Sequence, residues 1–175
     1  GHAFEAYTAG RIYPLASMVW STSEIDEIHS MSMEFFTYPW MEKFFGEKAD
    51  QYRKSHLAQP LEAVPYMVAV DEFQHRVFEE NLDARGRRKA WKELEQTYLP
   101  WRDYDGNEFL GNGGFWMQKL YIFVNPFYYV DYALAQTGAF ESYRKMGENR
   151  EKAWADYVKL CRLGGSHGYF ETLSL

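Results

Sequence analysis

One cysteine, Cys161, is too few for an internal disulfide, so cohesion must come from packing, and a reducing, cytoplasmic setting is expected. Long apolar runs are missing as well. The longest, YIFVNPFYYV, is interrupted by Asn125 and Pro126 and falls far short of the ~20 residues that a membrane helix needs. Positive charge is scarce and scattered: 19 Lys and Arg stand against 25 Asp and Glu, for a net charge of −6. The one short basic run, Arg85, Arg87, Arg88 and Lys89, reads as a solvated helix start, whereas a nucleic-acid footprint needs a broad basic face. No internal repeat, low-complexity segment or leader peptide is visible. Disulfide scaffolds, membrane spans and nucleic-acid binders are thereby set aside.

Aromatic residues are abundant instead, at 19% with 14 tyrosines, and tyrosine's apolar ring and polar tip suit a lined cleft as well as a core. At 175 residues the chain is long enough for a real core and reads as a single helical domain over 1–175. Nearly all of it carries helical periodicity. A first helix covers about 2–9 and stops at Gly10. Ser21 and Glu24 suggest a capping box for a second helix, striped by Ile25, Ile28 and Met31. Pro39 bends the chain, and a short helix ends at Gly46. A long helical region from 47 to 81 is expected to kink or split at Pro60 and Pro65. DARGRR reads as a turn, 89–98 as a short helix, and the Asp-, Asn- and Gly-rich stretch 103–114 as a loop. Its DGN lacks the acidic spacing of a calcium loop and reads as a plain turn. A further long helix is expected over 115–140 with Pro126 inside it, then one over 148–163 and a last from Gly168.

His2 and Glu27 stand 25 positions apart, on two successive helices joined by a reversal, and Glu34 lies on Glu27's face two turns on. Zinc peptidases present two histidines at i and i+4 of one helix, H-E-x-x-H, with a third ligand from a neighbouring helix. A histidine at one helix start and a glutamate on the next would supply half of that geometry. A frayed terminal histidine and a surface carboxylate would look the same. Glu34 would suit a carboxylate that orients a ligand histidine through its free ring nitrogen. His29 has a different helical angle from Glu27 and suits packing or the surface better than ligation. Asp71 and His75 form an i, i+4 pair that reads as structural. GGSHGYF places His167 and Tyr169 beside a glycine pair, which serves equally a hinge over a peptide cleft or a plain turn.

The segments GHAFEAYTAG, SEIDEIHSMSMEFFTYPW, PYMVAVDEFQHRVFEEN, YLPWRDY, PFYYVDYALAQ and GGSHGYFETL, in that order, resemble the catalytic half of oligoendopeptidase F, a zinc metallopeptidase family related to thimet oligopeptidase. The resemblance runs over essentially the whole chain. It implies an all-α, multi-helix zincin-type catalytic domain fragment that hydrolyses peptide bonds in oligopeptides, with zinc as cofactor. His2 would match the second histidine of H-E-x-G-H-A-F, and Glu27 the glutamate ligand 25 residues beyond it. The first histidine and the catalytic glutamate would lie just before Gly1, and an N-terminal lobe would be absent too. The chain would then be inactive alone and would need an oligopeptide substrate and the rest of its own peptidase chain as partners, with no nucleic acid or membrane. The family also uses tyrosines near PFYYVDYALAQ to stabilise the carbonyl oxygen and grip substrate backbone, which carries over to Tyr128 and Tyr132, one helical turn apart. A family histidine shortly before them is Tyr121 here. His167 and Tyr169 join Tyr121 as expected substrate contacts. The alternative is a non-catalytic helical domain that binds peptide or protein.

Overall fold

A computed structural model describes residues 1–174 of the chain. Among them there are nine α-helices and no strand. The helices are α1 His2–Ala9, α2 Ser23–Phe36, α3 Glu42–Phe45, α4 Ala49–Glu79, α5 Ala84–Tyr98, α6 Leu120–Val124, α7 Tyr129–Glu148, α8 Arg150–Leu163 and α9 Tyr169–Leu173. The chain divides into two compact units, one made of Gly1–Ser55 with Leu134–Leu175 and the other of His56–Ala133. The boundaries fall inside α4 and α7.

The first unit is built on α2. Its buried positions Ile25, Ile28, His29, Ser32, Phe35 and Phe36 recur at spacings of three and four, which puts them on one face. Ile25 and Ile28 pack with Ala135 of α7, and Phe36 with Ala153, Tyr157 and Cys161 of α8. Each large apolar side chain so buried contributes roughly 1.5–3 kcal/mol. The second unit has its own core, in which Tyr66, Ala69, Val70 and Phe73 of α4 meet Ala90, Trp91 and Leu94 of α5 together with Leu99 and Trp116. Trp91 is wholly buried, and its ring stands edge-on to Phe73 at 5.3 Å.

Several local expectations give way. α4 runs unbroken through Pro60 and Pro65, its tertiary packing overriding the loss of two helical N–H groups. DARGRR is not a turn but the start of α5, because Asp83 caps it: Oδ1 accepts the Gly86 N–H at 2.7 Å. The 115–140 region is not one helix. The chain breaks at 125–128, between α6 and α7, where Phe127 takes the left-handed conformation with φ 66°. Ser21 makes no capping box; Thr22 is the N-cap of α2 and no side chain caps it. Ser21 points elsewhere, as described next.

Candidate active site

Both carboxylate and imidazole of the sequence-derived metal pair come from the first unit. His2 opens α1, and its Nε2 lies 3.5 Å from Glu27 Oε2 on α2. The close approach depends on Gly1: a Cβ there would fall 2.3 Å from the His29 carbonyl oxygen and 2.4 Å from Ser30 Cα. Any side chain would push the start of α1 off α2 and carry His2 away. Ser30 Oγ donates to Glu27 Oε2 at 2.9 Å, which fixes the carboxylate's orientation. The Glu27 side chain is 14% exposed and that of His2 44%, so the pair borders solvent.

The donor set fits zinc. Zn–N and Zn–O bonds of ~2.0–2.2 Å at a tetrahedral angle separate two donors by about 3.4 Å, close to the separation found. Two donors do not make a complete site, and among the described residues no group of three or more His, Cys, Asp or Glu is arranged to hold a metal ion.

Directly beneath lies a polar cluster that sequence reasoning missed. Glu5 of α1 and His29 of α2 are both wholly buried, with Glu5 Oε1 3.4 Å from His29 Nε2. Ser21 Oγ lies 2.7 Å from Glu5 Oε1 and 2.6 Å from Asp26 Oδ1. From α8, Tyr157 donates its hydroxyl to the His29 carbonyl at 3.1 Å, and Cys161 Sγ lies 3.4 Å from His29 Nδ1. Burial opposes ionisation of Glu5, but His29 and Ser21 outweigh it and hold the carboxyl below the usual range. Burial pushes Asp26 up to about 6, with the Glu5 charge adding to the effect, and it pushes the Cys161 thiol up to about 12. The buried spacing of α2 passes through His29, but nothing in the sequence pairs it with Glu5.

The remaining candidates of the first unit are Glu34, His167 and Tyr169. Glu34 is exposed on α2; burial raises the Tyr38 and Tyr52 hydroxyls, and the Glu34 charge adds to the effect. His167 Nδ1 is 2.7 Å from Ser166 Oγ. Tyr169 packs on the Ile25–Ile28 cluster and borders a cavity of about 750 Å³ that neither His2 nor Glu27 lines. Gly164, at φ 48°, lies so close to the Met18 carbonyl that a Cβ would come within 2.6 Å of it, so this glycine serves tight packing of two turns.

The tyrosine candidates belong to the second unit. Tyr128 does not lie on α7 but immediately before it. Its hydroxyl is nevertheless 2.8 Å from that of Tyr132, with the rings edge-on at 5.0 Å. The Tyr121 ring of α6 lies tilted against that of Tyr128, 5.4 Å between centroids. Tyr129 turns inward against Tyr66 at 6.0 Å. The Phe127 ring rests on His75 and Phe78, so the strained residue is anchored on α4. His75 itself sits between Asp71 and Glu79, at 3.7 and 3.5 Å, along the exposed side of α4.

No protein-family model matches the chain, and neither does any curated protein sequence. Solved structures do. One, provisionally assigned as an oligoendopeptidase F, superposes with a TM-score of 0.95 at 51% identity, over 99% of this chain and 31% of that one. PZ peptidase A, solved with an inhibitor, gives 0.93 at 48% identity over 99% and 31%. A protein of Bacillus anthracis str. Ames, also provisionally assigned as an oligoendopeptidase F, gives 0.81 at 41% over 99% and 28%. The chain thus spans about 30% of the length of the structures it matches.

Proposed function

The chain belongs to the oligoendopeptidase F family, and from that premise we propose that it carries two zinc ligands, His2 and Glu27, of a metalloendopeptidase that cleaves oligopeptides. The observation that supports this most is the 3.5 Å approach of His2 Nε2 to Glu27 Oε2. A zinc ion bound there would supply an acidified water and polarise the scissile carbonyl. The protein's own work is to hold the donors. Ser30 restrains the Glu27 carboxylate, and Gly1 lets α1 lie against α2. In this reading the remaining histidine ligand and the general base come from residues preceding Gly1, and Glu34 steadies a ligand histidine.

Peptide hydrolysis builds negative charge on the carbonyl oxygen. Tyr128 and Tyr132 are assigned to that oxygen: their hydroxyls converge to 2.8 Å and can deliver a proton donor to one point. Tyr121, His167 and Tyr169 are assigned to the peptide backbone. The setting proposed is the cytoplasm, and no described helix is long and apolar enough to cross a membrane.

The test uses the full-length chain that contains this segment. It should cleave a short unstructured peptide, stop when a zinc chelator is added and recover with zinc. The 175-residue chain alone should show no cleavage even with zinc, because general acid–base help worth about 10²–10⁴-fold is lost with the missing base. Chelator-resistant cleavage would overturn the zinc assignment, and peptide binding without any cleavage by the full-length chain would favour a non-catalytic binding domain.

A further inference from the structure

We propose that Glu5 and His29 are positioning residues for the His2–Glu27 site: a buried carboxyl–imidazole contact that sets the register of the two helices bearing the zinc donors. The inference rests on the zinc reading above and goes beyond it, since that reading gives neither residue a role.

Each helix presents one donor toward solvent and one member of the pair inward. On α1, Glu5 follows His2 by three residues; on α2, His29 follows Glu27 by two, about 200° around the helix. The outward pair is therefore displaced whenever the inward pair moves. Both inward side chains are wholly buried, and Nε2 and Oε1 stand 3.4 Å apart. The pair is tied to three further elements. Ser21, in the connection between the helices, reaches Glu5 at 2.7 Å. Tyr157 and Cys161 of α8 fix the His29 backbone and ring, at 3.1 and 3.4 Å. Gly1 contacts the backbone of residues 29 and 30 on the other side of His2. His2 is thus held between two points of contact with α2, at residues 1 and 5.

Stability does not explain such a pair. Two polar side chains lose their hydration on burial, and apolar residues of the same volume are often as stable or more so. What the pair adds is a preferred placement of α1 on α2. An apolar interface between them tolerates a slide of one residue, about 1.5 Å along a helix, whereas a metal site tolerates about 0.2 Å in its ligand distances. A slide would part the Glu5 carboxyl from the His29 imidazole as well as His2 from Glu27.

The test is made on the full-length chain, with zinc affinity measured by competition against a chromophoric chelator, the visible spectrum of the cobalt-substituted protein, and thermal melting without metal. Glu5→Gln removes the charge and keeps the shape. The double variant Glu5→Met with His29→Leu replaces the pair by packing and keeps the protein folded should the single variant fail. Either folded variant should lose zinc affinity by on the order of 10–100-fold, the range for groups that orient metal ligands, with an altered cobalt spectrum. The double variant should melt at or above the parent temperature. A core change at the far end of α2, Phe36→Leu, should lower the melting temperature and leave zinc affinity within about twofold. If the parent binds zinc and the folded double variant binds it equally well, the positioning role is wrong and the zinc site stands. If the parent binds no zinc, the zinc reading falls and takes this proposal with it.

Discussion

The two units hold their candidate groups by opposite means. In the first, His2 and Glu27 sit on a buried polar network of Glu5, His29, Ser21, Asp26 and Cys161. In the second, Tyr128 and Tyr132 sit on aromatic packing: Tyr121 and Tyr129 beside them, Tyr66, Phe73 and Trp91 below, and Phe127 held on His75 and Phe78. On the proposed zinc reading, the difference would follow the tolerance of the chemistry. Metal donors need positions good to a few tenths of an ångström, which a buried polar network can supply. A hydroxyl that must reach a developing oxyanion needs a hydrogen-bond distance with a wider margin, which the shape of packed rings supplies.

The comparison can be broken from the second unit's side first. Trp91→Ala removes the ring at the centre of the aromatic core, where it is wholly buried. A loss of about 3–5 kcal/mol is expected in chemical denaturation, far more than for any change among the tyrosines. A loss below about 1 kcal/mol would mean that aromatic packing does not carry this unit. Tyr132→Phe should leave stability nearly unchanged and lower kcat of the full-length enzyme by on the order of 10²-fold, with KM little affected. Equal loss in KM instead would move Tyr132 from the oxyanion to substrate binding. The smallest effect tests a local device outside both networks: Asp83→Ala should cost about 1 kcal/mol of unfolding free energy, because Oδ1 caps α5 through the Gly86 N–H. An unchanged midpoint would leave the cap without weight.

What the sequence made legible follows the same division. Helical content and the α2 stripe could be read from periodicity: Ile25 and Ile28 are buried, and Met31, half-buried, packs against them. His2 and Glu27 could be singled out as a pair because the resemblance gave their spacing a meaning; composition alone would have left them as surface groups. Glu5 and His29 were not legible in that way. A glutamate and a histidine default to the exterior, and only the three-dimensional crossing of α1 over α2 makes each the other's partner. Pro126 and Pro65 show the same limit on the backbone. Both are prolines in helical text, yet the helix breaks at 125–128 and continues through 65. Position 65 adjoins Tyr66, Ala69 and Val70, which are buried against α5 and hold the helix together. Around 126 the flanking Leu120, Phe123 and Val124 are exposed, so no comparable packing opposes the break.

Zinc binding by the full-length chain tests the account most directly. Metal analysis after dialysis should find about one zinc per chain, and chelator competition should show that His2→Ala and Glu27→Ala each weaken it strongly while Tyr132→Phe does not. Loss of peptidase activity should parallel loss of metal in the two ligand variants, by about 10³-fold or more, because metal ions contribute several kcal/mol to the transition state. A full-length chain that retains its zinc and its activity without His2 and Glu27 would contradict the central claim that these two residues, 3.5 Å apart on α1 and α2, are ligands of the catalytic metal.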